Sequence, residues 1–343
     1  MQNITSYFIA LHGQLMDPDR IPLAITTIVV VMILGVITGP LAGNANPVLW
    51  LVFDKILGGF GDRLDRTHRL KKDLALRGFA VTAIALVVAL FLGKFYERLA
   101  WKWPLIGFSE VLFLATLLTS GAVWYALLRL YFALEKKQPL QGAYYAISRS
   151  TRLNLNATDD FGITRAGMSF AARSFDKGLV APVFWYLIGG LPLAVVYTTL
   201  AALAWRFGKD GFSKGFGIVP LALEKLLGFI PSILAAALLT AATIITPTAA
   251  IHKGVASWFG HKNRAPYEQG GFPLSSMAWS LNVSLGGAGQ DLSGSALHGV
   301  WVGPAGATAR IDHGHLRRAI YINFAATILF MGVLCGAYLW SGL

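Results

Sequence analysis

Charge is scarce in this chain. Asp, Glu, Lys and Arg make up only 13% of its 343 residues, about half the share found in a soluble domain. That excludes a soluble globular enzyme, a disordered chain and a coiled coil. Cysteine is rarer still. Cys335 stands alone in an apolar run, which excludes a disulfide framework and a cysteine-based zinc site. Gly-x-Ser-x-Gly, His-Glu-x-x-His, the Walker spacing and the dinucleotide fingerprint are all absent, and with them the chemistries those motifs carry. The chain has no internal repeat, which counts against an inverted-repeat transporter. Charge inside the apolar runs is also nearly missing, whereas a proton-coupled transporter needs it along its path.

What remains is apolar sequence: 55% of residues are hydrophobic and the mean hydropathy is +0.58. A helix needs roughly 20 apolar residues to cross a hydrocarbon core about 30 Å thick. Six runs free of acidic and basic residues stand out, predicting spans near 23–41, 78–96, 111–128, 178–205, 226–251 and 319–340, the second being a short run, Gly78–Gly93, extended past Lys94 to borrow Phe95 and Tyr96. Trp101, Trp103, Trp205 and Trp340 lie near span ends, where an indole favours the interface. The N-terminus lacks the basic stretch of a cleavable signal, its first arginine being Arg20. Glu224 with Lys225, and Glu110 with Arg129, read as snorkelling or paired groups at span ends.

The net charge of +12 is a matter of topology. Twenty of the 29 basic residues fall in the loops after spans one, three and five. Lys and Arg collect on the cytoplasmic side, so these three loops are expected inside and both termini outside. Nucleic-acid binding is not expected. The sequence therefore predicts an all-α integral membrane protein of the bacterial inner membrane. It is one polytopic domain over 1–343, with about six transmembrane helices and three long cytoplasmic loops, 44–77, 135–177 and 252–318. The first loop reads as an interfacial helix, with Ile56, Leu57, Phe60 and Leu64 on one face and Asp62, Arg63, Asp65 and Arg66 on the other. The third loop, rich in Gly and Ser, shows little helical period.

Chemistry is sought in these loops, where 11 of the 17 acidic residues accompany the basic excess. These carboxylates, Asp159, Asp160, Asp176 and Asp291 among them, are suggestive as a set, since a site handling Mg²⁺ and phosphate needs oxygen ligands and cations close together. The competing reading is ordinary solvation. Gly286, Gly287 and Gly289 form a turn whose consecutive N–H groups could cradle a phosphate; the alternative is a flexible connector. His313 and His315, with Asp312, form Asp-His-Gly-His, but residues two apart on a helix point apart, so a polar interfacial turn is expected there.

Several strings resemble one family. Gly178-Leu179-Val180-Ala181-Pro182-Val183-Phe184-Trp185 is followed by Gly189-Gly190-Leu191-Pro192 and Tyr197. Ile163-Thr164-Arg165-Ala166 lies upstream, Asn46-Pro47-Val48 near the start, and Gly271-Phe272-Pro273 and Leu285-Gly286-Gly287 in the last loop. In order and spacing this set resembles the CobD/CbiB family of cobalamin-biosynthesis membrane proteins. The resemblance implies an adenosylcobinamide-phosphate synthase, joining a corrinoid acid to an aminopropanol phosphate through an amide with ATP and Mg²⁺. Such a site would use Asp159, Asp160 and Asp176 for catalysis, Asp176 and Asp291 for Mg²⁺, and Arg165, Arg173, Lys177, Gly286, Gly287 and Gly289 for substrate phosphates. The polar positions depart from the family frame, however. Arg173 stands where that frame has Glu, Lys177 where it has Asp, Thr198 where it has Lys, and Leu274 where it has Glu. A second reading therefore stays open, a non-catalytic member resembling the AmpE-like signalling branch that binds a ligand or partner.

Overall fold

The computed structural model describes residues 17, 19–65, 69–102, 107–137, 142–156, 158–208, 211–212, 215–259 and 263–341. Expectations on Arg66, Trp103 and the N-terminal segment lie outside them. Helix dominates throughout. Five helical stretches are long and apolar enough to cross a membrane: Arg20–Thr38, Lys71–Leu99, Asp160–Phe207, Ile218–Ile245 and His313–Trp340. A bent pair, Phe108–Leu117 with Gly121–Glu135, forms a sixth when taken as one span. The protein is an all-α, multi-pass membrane protein.

In chain order, α1 is Arg20–Thr38. The short α2 (Val48–Phe53), a π-turn (Asp54–Gly58) and α3 (Gly59–Leu64) follow, then α4 (Lys71–Lys102). α5 (Gly107–Leu117) and α6 (Gly121–Glu135) are the bent pair, α7 is Tyr145–Thr151 and α8 is Asp160–Phe175. A π-turn, Asp176–Val180, joins α8 to α9 (Ala181–Phe207), and α10 is Ile218–Ala242. The last loop holds α11 (Ile251–Phe259), α12 (Gly271–Ser280) and strands β1 (Leu285–Gly286), β2 (Gly289–Gln290), β3 (Ala296–Leu297) and β4 (Trp301–Val302) before α13 (His313–Ser341). β1 pairs with β4 and β2 with β3, both antiparallel.

Helix breaks have local causes. The bend between α5 and α6 is 44°; there the Thr119 amide donates to Gly178 O at 2.8 Å and its hydroxyl to Ala45 O at 2.5 Å, so the broken turn is satisfied across elements. Within α9, Gly190 adopts φ +66° and Pro192 follows. Pro192 has no N–H for the carbonyl of Ile188 four residues back. Arg20 Nη1 supplies that bond instead, at 3.4 Å. Small residues allow the closest contact in the bundle: a side chain on Gly35 would press within 2.4–2.9 Å of the backbone of Gly121 and Ala122, and one on Gly121 would run into Met32 O. The apolar core runs through Ile28, Leu114, Leu127, Phe170, Tyr186, Leu239 and Phe330.

Three boundaries differ from the sequence expectation, each for a reason. Residues 160–177, assigned to a loop, are helical and continue through the π-turn into α9. The fifth helix begins at Ile218 and ends at Ala242 rather than covering 226–251, because Glu224 is buried with partners instead of capping the run. The third loop is ordered by α11 and α12. On α11, Ile251, Val255 and Phe259 are exposed at a spacing of four, the pattern of a helix lying on a membrane surface. The first loop shows the same row, Val52, Ile56 and Phe60. Its predicted apolar face is split, since Leu57 and Leu64 turn inward onto the cluster of Leu203, Phe207 and Phe216.

Candidate functional site

A cavity of about 200 Å³ opens where α8, α9, the Tyr267–Gln269 turn and the β-ladders meet. Its wall carries four cations, Arg152, Arg165, Arg173 and Lys177, against the single carboxylate of Glu268. Arg165 and Arg173 lie eight residues apart on α8, and Lys177 follows in the π-turn. The helical repeat places all three towards one side.

Three of the four cations are held by neighbouring groups. Lys177 Nζ meets Glu224 Oε2 at 2.9 Å, with 9% and 0% of the two side chains exposed. Glu224 Oε1 also accepts from Tyr267 at 2.7 Å and Tyr197 at 3.2 Å, and Lys177 Nζ sits 4.2 Å over the Tyr267 ring. Burial, then the nearby Glu224 and Asp176 charges, push the Tyr267 phenol upward, so it stays protonated and donates. Arg152 lies 5.4 Å from the Trp205 ring centre and 3.8 Å from Asp54. Burial lowers its basicity, with neighbouring Arg206 adding to the effect. Arg165 donates to Ala309 O at 2.8 Å and lies 5.2 Å from the Trp301 ring centre. Among the described residues, Arg173 has no hydrogen-bonded or ion-paired partner.

Aromatic groups form the floor. Trp50 and Trp205 are both on the wall, 5.7 Å apart and tilted. The position of Trp205 corrects the sequence reading: its indole is buried at 8% exposure and donates to Ser150 O at 2.6 Å, so it is not an interfacial anchor. Trp340, 83% exposed, fits that role.

The predicted carboxylates are dispersed. Asp159 caps α8, its Oδ1 accepting from Gly162 N at 2.8 Å, and lies 3.9 Å from Arg165. Asp160 is exposed in the first turn of α8. Asp291 is buried, and its Oδ1 accepts from the amides of Ser293 at 2.8 Å and Ser295 at 3.0 Å, so it organises its own turn. Asp176 is 2% exposed, sits in the π-turn beside Lys177, and keeps Oδ1 without a hydrogen-bond partner. Among the described residues no group of three His, Cys, Asp or Glu side chains is placed to share a metal ion. His315 bonds Asp312 at 2.7 Å, which makes the Asp-His-Gly-His segment a helix-start turn.

Gly286, Gly287 and Gly289 do line the cavity, but as a folded corner. The Gly287 amide already donates to Val300 O at 3.2 Å. A side chain on Gly287 would meet the Trp301 ring at 2.8 Å, at φ +88°. Glycine here serves close packing, and its N–H is not free to cradle an anion.

The CobD/Cbib protein family matches residues 28–323. This chain belongs to that family. Arg173, Lys177 and the glycine corner lie within the matched residues and line one cavity. Curated relatives agree. A cobalamin biosynthesis protein CobD of Sinorhizobium sp is 26% identical over 273 residues, 76% of this chain and 83% of the relative. One of Brucella anthropi is 26% identical over 258 residues, 71% and 77% of the two chains. One of Sinorhizobium fredii is 28% identical over 249 residues, 71% and 74%. No solved structure matches.

Two residues that organise this CobD-family site escape a reading of the sequence: Glu224 and Trp50. Glu224 carried one signal, its place in a stripe with Leu221 and Gly228 at helical spacing, all three buried.

Proposed function

We propose that this chain acts in cobalamin biosynthesis as an adenosylcobinamide-phosphate synthase with an altered site, and that the cavity receives the phosphate groups of its reactants. The observation that carries this reading is the cavity wall, where Arg152, Arg165, Arg173 and Lys177 stand beside Trp50 and Trp205, all within the span that the family matches. In such a reaction the corrinoid carboxylate attacks the terminal phosphorus of ATP and ADP leaves. The amine of the aminopropanol phosphate then attacks the acyl phosphate, inorganic phosphate leaves, and a base takes the amine proton. Cations aimed at the phosphates stabilise the charge that builds up on both leaving groups. Asp176, buried beside Arg173 and Lys177 with an unsatisfied oxygen but not itself on the cavity lining, would take the proton through one bridging water.

The residues fit the phosphates of ATP and do not fit a protein-held Mg²⁺. Asp291 is committed to its own turn, Asp159 to a helix cap, and the wall is cationic. The test is complementation of a strain lacking its cobinamide-phosphate synthase, with corrinoid intermediates measured. Restored amide formation is expected. Accumulation of adenosylcobyric acid despite normal membrane insertion would sink the synthase reading and favour a non-catalytic binding protein.

The charge bias supports an orientation with the cavity-bearing loops in the cytoplasm, the side where ATP is found. A periplasm-active reporter fused after Leu343 is expected to give signal, and one fused at Gly142 none. The reverse pattern would overturn this orientation.

A further inference from the structure

We propose that this cavity binds phosphate-bearing anions directly through Arg152, Arg165, Arg173 and Lys177, without a divalent metal ion. The inference builds on the reading of the cavity as a phosphate site and is independent of whether amide formation follows.

Charge placement is the first argument. The acidic groups near the wall stand mostly behind it: Glu224 holds Lys177 from the helix bundle, at 2.9 Å, and Asp54 lies 3.8 Å from Arg152. Neither carboxylate is on the cavity lining. Their role there is to fix the cations. A divalent ion entering the cavity would face four positive groups and one carboxylate, Glu268, and repulsion would oppose it. A phosphate dianion meets the opposite field.

Unused donor capacity is the second. Arg173 lines the cavity with no hydrogen bond or ion pair among the described residues, and only the Coulombic influence of Glu224 and Asp176. Arg152 Nε and Trp50 Nε1 are buried donors without hydrogen-bond partners, and both residues are on the lining. Buried donors are rarely left unsatisfied without a reason. A ligand rich in acceptor oxygens supplies the missing partners, and guanidinium groups pair with phosphate in two-pronged fashion. A metal ion supplies no acceptor.

The shared chemistry is a phosphate group, which could come from a nucleotide or from a phosphorylated amine. The experiment is calorimetric titration of the full-length chain in lipid nanodiscs, using pyrophosphate and inorganic phosphate as separate probes, each in EDTA and in excess Mg²⁺. Binding of equal affinity in EDTA and in Mg²⁺ is expected, or weaker binding in Mg²⁺ because the free ion sequesters the probe. Tighter pyrophosphate binding assigns the site to a nucleotide; equal affinities assign it to a monophosphate. Arg173→Gln and Arg165→Gln should each weaken binding by about tenfold or more, while Lys253→Gln, on the exposed α11, should leave it unchanged. Binding that requires Mg²⁺, no binding by the wild-type chain, or equal loss on changing Lys253 would each overturn the proposal. If a variant fails to fold, the EDTA comparison on the wild-type chain still decides. Failure of complementation with metal-free pyrophosphate binding intact would remove the synthase reading and leave this one standing.

Discussion

Replacing Glu224 by Gln is expected to destabilise the protein by about 3–5 kcal/mol, the cost of leaving one member of a buried ion pair alone. Glu224 is fully buried, and its two oxygens serve Lys177, Tyr197 and Tyr267. Glutamine keeps the shape but removes the charge that Lys177 needs at 9% side-chain exposure. The double variant Lys177→Met with Glu224→Leu should recover most of the loss, because apolar replacement of a whole buried pair is often neutral or stabilising. Unfolding of the purified protein in a single detergent measures both. A Glu224→Gln variant as stable as wild type would show that water reaches this pair and that Glu224 does not anchor the cavity floor. The double variant separates roles as well: its stability returns, but phosphate binding should not, since Lys177 is on the wall.

Asp176→Asn is expected to lower amide formation by about a hundredfold or more, within the range for removing a positioned general base. Asp176 sits between Arg173 and Lys177 in sequence, in a π-turn, a feature frequent at functional sites. The rival account makes it a counter-charge for those two cations. The two accounts differ in what moves. A counter-charge role predicts lower thermal stability with turnover per folded molecule retained. A proton-accepting role predicts lost turnover with phosphate affinity retained, and partial recovery in Asp176→Glu. Turnover within a few-fold of wild type in well-folded Asp176→Asn would remove Asp176 from the chemistry.

The sequence by itself determined the membrane class, the helical character and the family frame. Long runs such as those of α1 and α13 have no alternative to helix in lipid, because every backbone polar group must be satisfied within the segment. The family frame was legible for the same kind of reason: Gly178, Pro182, Gly190 and Pro192 mark backbone positions that few residues can occupy, and such positions stay readable when polar side chains change. Arg165, Arg173, Lys177 and the glycine corner were named from the sequence, and the structure sets them around one cavity.

Only the tertiary structure decided what those residues can do. A window that penalises charge cannot see Glu224 inside a span, because the energy that permits it comes from Lys177, 47 positions away in sequence. Trp205 looked like an interfacial anchor because it lies near a span end; it packs instead against Trp50 and Arg152 from distant segments. Gly287 looked like a phosphate cradle until Val300 claimed its amide. Asp159 and Asp291 were interchangeable carboxylates on paper, and hydrogen bonds to nearby backbone separated them from Asp176. In each case the deciding partner is set by packing across the bundle or by the local path of the backbone. Residue type and spacing carry the local preferences, whereas the pairing of a buried charge or an unfilled donor is fixed only once the helices have docked.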